Sequence, residues 1–145
     1  ISNECEFCHT QSDTLEHHFV DCNYVKIFWK SFTTWWRHAF NMSVVLNAPD
    51  VLFGILNQFC DKFMNMLNYC ILVAKYYIYQ TKVQHSDLFI YDYLNMLKNL
   101  LEVRSVAYRL NGKDNDFKQR WGMLYDNILC VNLLFSDALL FWSFF

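Results

Sequence analysis

The chain has 145 residues, enough for one domain or for one domain with a tail, and two independent cores would be crowded in it. Hydrophobic residues make up 54% of it and charged residues 18%; ordinary soluble domains carry about 25% charged residues, so apolar surface is left over for a partner. The net charge of −2 excludes a global electrostatic pull towards nucleic acid or anionic membrane and confines any such binding to local patches.

With three glycines and one proline, the chain argues against a turn-rich all-β fold and for long helices. Residues 1–12 lack periodicity and read as a loop or tight hairpin. Asp13, with Glu16 three residues on, makes a capping-box-like start for a short helix carrying His17, His18 and Phe19. From Cys22 onward, Val25, Phe28, Trp29, Phe32, Trp35, Trp36 and Ala39 recur at helical spacing and predict a helix to about Phe40. Residues 41–57 break the pattern at Pro49 and Gly54, with a short extended piece at Ser43–Leu46. A second long helix is predicted over Asp61–Val83, burying Phe63, Met66, Leu67, Cys70, Val73, Ala74 and Tyr77. The third starts after Ser86 as N-cap and stops before Gly112, with Tyr93, Leu97, Leu100, Val103, Ala107 and Leu110 on its apolar face. A fourth follows Asp114 and carries Phe117, Trp121, Leu124 and Ile128 at helical steps.

The stretch 128–145 is just long enough to span a bilayer, but Asn132, Ser136 and Asp137 at its middle favour a helix packed on the bundle. The expected fold is therefore mostly α. A zinc knuckle and the first long helix occupy 1–40, a helical bundle over 41–127 packs on them in the same domain, and 128–145 is an apolar tail. Ile1 is not an initiator methionine, which suggests a piece of a longer chain, and the first twenty residues contain no apolar run of a signal peptide.

The six cysteines are unevenly spread. Cys5, Cys8 and Cys22 crowd the start beside His9, His17 and His18, whereas Cys60, Cys70 and Cys130 stand singly among apolar residues and read as core thiols. An oxidised scaffold spreads its cysteines more evenly, so a reducing, intracellular setting with one metal site fits better. Cys5-x-x-Cys8 places two thiolates on one tight turn, the first half of a tetrahedral zinc site, and Cys22 with an upstream histidine supplies the second. Helix geometry prefers His18 over His17, because residues four apart share a face and residues five apart do not. Three competing readings remain. Cys5-x-x-Cys8-His9 also matches c-type haem attachment, though that leaves Cys22 and the His17–His18 pair unexplained; the others are a thiol redox motif and no metal at all.

The run Cys5-x-x-Cys8, then Thr14-Leu15-Glu16-His17-His18-Phe19-x-x-Cys22, then Trp29 resembles the zinc-binding domain that follows reverse transcriptase in non-LTR (LINE-type) retrotransposons. The likeness continues through Asp50-Val51-Leu52-Phe53-Gly54, Ala74-Lys75-Tyr76-Tyr77-Ile78 and Phe117-Lys118-x-Arg120-Trp121, and so covers roughly Cys5 to Asn127. In that family's pattern the histidine directly after the glutamate is the ligand, which implies His17 beside Cys5, Cys8 and Cys22, with His18 as the alternative. The resemblance implies a non-catalytic module, in a cytoplasmic and nuclear setting, that helps a parent polymerase hold RNA or target DNA and braces the upstream reverse transcriptase region. The family's polymerase aspartates lie in a [FY]-x-D-D turn, which this chain lacks; Asp92, between Tyr91 and Tyr93, is an isolated acid.

Basic residues that can meet phosphate are Lys26, Lys30 and Arg37 on the first long helix, and Arg104, Arg109, Lys113, Lys118 and Arg120 across the third and fourth. Glu102, Asp114 and Asp116 dilute the second group, and a merely solvated face is the competing reading. His38 and His85 read as surface residues. A structural cap that meets protein and no nucleic acid is the alternative function.

Overall fold

The computed structural model describes residues 3–56 and 61–142, with side chains to residue 130, and divides into two compact units, Ile1–Tyr93 and Leu94–Phe145. The described chain is mostly helical, and its sole extended pairing is an isolated antiparallel bridge between Glu4 and Ser12.

In the first unit that bridge closes the hairpin expected over residues 1–12. Cys5 N–H donates to the Gln11 carbonyl at 2.9 Å and Asp13 N–H to the Asn3 carbonyl at 2.7 Å. Thr14, not Asp13, caps the turn that follows: its Oγ1 accepts the His17 N–H at 3.1 Å, while the Asp13 carboxylate is drawn away to Lys82 and His18. The turn itself is a π-helix, His17–Asp21, and α1 runs Asn23–Phe40, ending at Asn41 in the left-handed region (φ 52°).

The segment expected to be irregular contains a short helix, α2, Ala48–Phe53. Pro49, which breaks the helical pattern in the sequence, sits in the first turn, where its missing N–H costs nothing. Asn47 and Asp50 complete a capping box around it, at 3.0 and 3.1 Å. Gly54 leaves α2 at φ 87°, a conformation that strains any side chain. Asn68 then clasps the next residue, accepting the Ile55 N–H at 2.7 Å and donating to the Ile55 carbonyl at 3.0 Å. Ser43–Leu46 form no strand.

Helix α3, Lys62–Val83, takes Asp61 as its N-cap through the Phe63 N–H at 2.9 Å. It buries Met66, Leu67, Cys70, Val73, Ala74 and Tyr77 as its periodicity requires, and also Ile71, Ile78, Thr81 and Lys82. Against it lie Phe28 and Phe32 of α1 and Tyr93, the last residue of the unit. Ring centroids are 5.6 Å apart for Phe28–Tyr77, 5.5 Å for Phe28–Tyr93 and 5.8 Å for Phe32–Tyr93. These edge and tilted contacts are favourable geometries for aromatic side chains that are already out of water.

Helix α4, Ile90–Leu110, begins four residues after the expected cap. Ser86 is not its N-cap: the stretch before Ile90 is held open by Tyr77, whose hydroxyl accepts the Phe89 N–H at 2.9 Å and donates to its carbonyl at 3.0 Å. In the second unit the buried face of α4 is Leu94, Leu97 and Leu101; Leu100, Val103, Ala107 and Leu110 are exposed, contrary to the expected stripe. The helix carries apolar residues on more than one side, so spacing alone leaves its inward face undetermined.

Gly112 (φ 68°) ends α4 in a Schellman motif, with Lys113 N–H to the Tyr108 carbonyl at 2.8 Å and Gly112 N–H to the Arg109 carbonyl at 2.9 Å. Helix α5, Asp114–Trp142, follows and buries Phe117, Leu124 and Ile128. Of the three expected core thiols, Cys70 is buried, Cys130 is exposed on α5, and Cys60 lies outside the described residues. Cys130 falls on an outward position between Ile128 and the helix end, where apolar neighbours do not imply burial. Among the described residues no helix is long and apolar enough to cross a membrane.

Candidate metal centre

The hairpin, the π turn and the start of α1 bring Cys5, Cys8, His17 and Cys22 together, with their ligand atoms all within 4.8 Å of one another. Cys5 and Cys8 flank the tight turn of the hairpin, where His9 takes a left-handed conformation (φ 51°) and returns its N–H to the Cys5 carbonyl at 2.9 Å. Cys22 sits at the junction between the π turn and α1.

The π turn decides between the two histidines. In an α-helix, residues five apart diverge by roughly 140°. A π turn holds one more residue and brings the fifth position round over the first. The Cys22 N–H accordingly donates to the His17 carbonyl at 3.1 Å, and both side chains face the cluster. His18 points elsewhere: its Nδ1 lies 2.8 Å from Asp13 Oδ2, while its buried Nε2 has no partner.

The spacing suits one small tetrahedral cation. Two sulfurs each about 2.3 Å from a zinc-sized centre stand about 3.8 Å apart, and a sulfur and an imidazole nitrogen about 3.6 Å apart. The Cys5 and Cys22 sulfurs are 3.8 Å apart, and Cys8 Sγ is 3.4 Å from His17 Nε2. A disulfide needs about 2.05 Å, and these cysteines are free. Cys5, Cys22 and His17 are buried and Cys8 is half-buried, so the cluster is closed on most sides. Haem attachment fits poorly, because Cys5 is fully buried whereas His9 is exposed.

The thiols are electrostatically unequal. Hydrogen bonds from the Thr10 hydroxyl and then the Thr10 backbone, with smaller ones from His17 and Cys5, bring Cys8 down to about 6. Burial pushes Cys22 up to about 11. Cys8 is thus a ready thiolate at neutral pH, while Cys22 gives up its proton when a metal takes its place.

Behind the cluster lies a residue that sequence reasoning missed. Lys82, 2% exposed, places Nζ 3.4 Å from Cys5 Sγ, 2.8 Å from Asp13 Oδ1 and 5.1 Å from the Phe7 ring centroid. Burial works against ionised Asp13, but its hydrogen bonds to Lys82 and then His18 prevail and hold the carboxyl below its ordinary value. The signal was present in the sequence: Cys70, Ala74, Ile78 and Lys82 follow at steps of four, and the stripe ends in a lysine where an apolar residue belongs.

The basic residues fall into two sets. Lys26, Lys30 and Arg37 form an exposed stripe along α1, with Lys26 3.7 Å from Asp21. Arg104, Arg109, Lys113, Lys118 and Arg120 belong to the second unit. There Arg104 is half-buried with its guanidinium 4.8 Å from the Trp121 ring centroid, Arg109 lies 3.7 Å from Asp114, and the other three are exposed. His38 is exposed; His85 is exposed but sits 3.2 Å from Glu6.

No known protein family, curated protein or solved structure matches the chain.

Proposed function

We propose that the chain is a non-catalytic zinc-binding module of a LINE-type reverse transcriptase, which helps the parent polymerase hold RNA or target DNA. The observation that carries the zinc reading is the set of three cysteines and one histidine whose ligand atoms lie within 4.8 Å of one another, with His17 directly after Glu16 as in the pattern the sequence resembles. Four protein ligands fill a tetrahedron and leave no position for water or substrate, which is the arrangement of a structural site. Bound there, zinc would join the hairpin to the start of α1. Support for nucleic-acid contact is the exposed α1 stripe beside the knuckle and the exposed Lys113, Lys118 and Arg120 at the α4–α5 junction.

Metal analysis of the purified chain should give about one zinc per molecule, and no Soret band. Phosphate contacts release counterions, each steepening the salt dependence by about 0.9 in log–log slope on duplex DNA and about 0.7 on single strands. Retention on RNA or DNA near 50 mM salt should therefore be lost when Arg109, Lys113 and Lys118 are replaced by Glu, with zinc and helicity kept. If the wild-type chain is not retained, the better reading is a zinc-pinned structural cap. That alternative is favoured by the tie between the knuckle and α3 through Lys82.

A further inference from the structure

Lys82 is the last buried residue of α3, and it meets the knuckle 77 positions away in sequence. An ammonium at 2–3% exposure is costly unless every face of it is answered. Here the answers are the Cys5 sulfur, the Asp13 carboxylate and the face of Phe7. Asp13 is itself held from its other oxygen by His18, so the donor has a fixed direction. Three thiolates and a neutral imidazole around a divalent cation sum to one net negative charge, buried beside Lys82. The ammonium cancels that charge and donates to the thiolate that carries part of it.

We infer that Lys82 is a positioning residue of the metal centre: its N–H···S bond to Cys5 neutralises the loaded site, lowers the energy of the sulfur lone pairs and strengthens metal retention. This inference rests on the metal-binding reading above. Sulfur that receives a hydrogen bond is less electron-rich, so its lone pairs lie lower in energy. Removing the donor reverses this. Partners standing behind metal ligands commonly alter affinity by about 10- to 100-fold when they are changed.

The test uses the full chain and its Lys82→Met and Asp13→Asn variants. Methionine keeps the buried stem without charge or donor; asparagine breaks the same lysine–carboxylate ion pair but leaves the ammonium facing Cys5. Competition with a chromophoric chelator should show Lys82→Met binding zinc about 10- to 100-fold more weakly, with Asp13→Asn losing much less. In the cobalt-loaded protein, the sulfur-to-metal charge-transfer bands should move to longer wavelength in Lys82→Met alone. Equal zinc loss in the two variants, with unmoved cobalt bands, would show a mere structural strut and overturn the inference. A wild-type chain that binds no metal overturns it together with the metal reading, whereas a wild-type chain that binds zinc beside an unaffected Lys82→Met overturns it alone. Should Lys82→Met fail to fold, Lys82→Leu, likewise apolar and without a donor, carries the same comparison with Asp13→Asn.

Discussion

At the scale of single residues, the knuckle turns on which of two adjacent histidines faces the sulfurs. His17 Nε2 stands 3.4 Å from Cys8 Sγ, whereas the His18 ring is taken by Asp13 at 2.8 Å. His17→Ala should therefore lower zinc affinity by orders of magnitude, because it removes a ligand. His18→Ala should lower it by about tenfold at most, because it touches only the partner of a partner. Competition titrations on the two variants check this, and the reverse ranking would mean that the turn is α-helical in solution. The ligand types and their spacing were readable from the sequence. The choice of histidine was not readable from helix geometry, which favours His18, because the π turn depends on how the chain enters α1. Lys82 was visible only as an anomaly in an apolar stripe, since its partner lies 77 residues away.

At the scale of elements, helices whose apolar face is unambiguous were legible and their junctions were not. The joint between α3 and α4 is an example. Tyr77, a buried aromatic of α3, satisfies both backbone groups of Phe89 just ahead of α4, at 2.9 and 3.0 Å. Tyr77→Phe keeps the ring packing on Phe28 but leaves the Phe89 N–H without its partner. The expected cost is about 1–3 kcal/mol, the penalty for a part-buried polar group left unmade. Urea denaturation should show a lower midpoint with an unchanged slope, and faster hydrogen exchange at the start of α4. An unaltered midpoint would mean that water replaces the hydroxyl at no cost. Ser86 looked like the cap here because a serine before an apolar run is a strong local signal, and a hydroxyl from another helix overrode it.

At the scale of the whole molecule, the metal centre and the aromatic core of the first unit are separate sources of stability. Phe28, Phe32, Tyr77 and Tyr93 pack among themselves, while the hairpin and π turn bury little beyond Cys5, His17 and Cys22. Structural zinc in small fingers contributes about 10–16 kcal/mol of apparent binding energy that is also folding energy. Chelation with EDTA should therefore open residues 3–22 to proteolysis, and leave the helical signal of α1, α3, α4 and α5 largely intact in circular dichroism. Loss of the whole helical signal on chelation would show that the aromatic core cannot stand without the knuckle.

The sequence by itself determined that the chain is helical, where α1 and α3 run, where α5 starts, how α4 ends at Gly112, and which residue types gather at the start. Those are properties of local spacing, caps and turn residues, and local energetics suffices to set them. Only the tertiary structure decided that α4 turns Leu94, Leu97 and Leu101 inward, that Cys130 is exposed, and that Thr14 rather than Asp13 caps the π turn. The helix at Pro49, by contrast, rests on the local Asn47–Asp50 capping box, a signal that the sequence carries. Asp13 shows the tertiary choice most plainly: adjacent to a helix start it is a fitting cap, yet a buried ammonium from α3 is a stronger claim on a carboxylate than a backbone N–H.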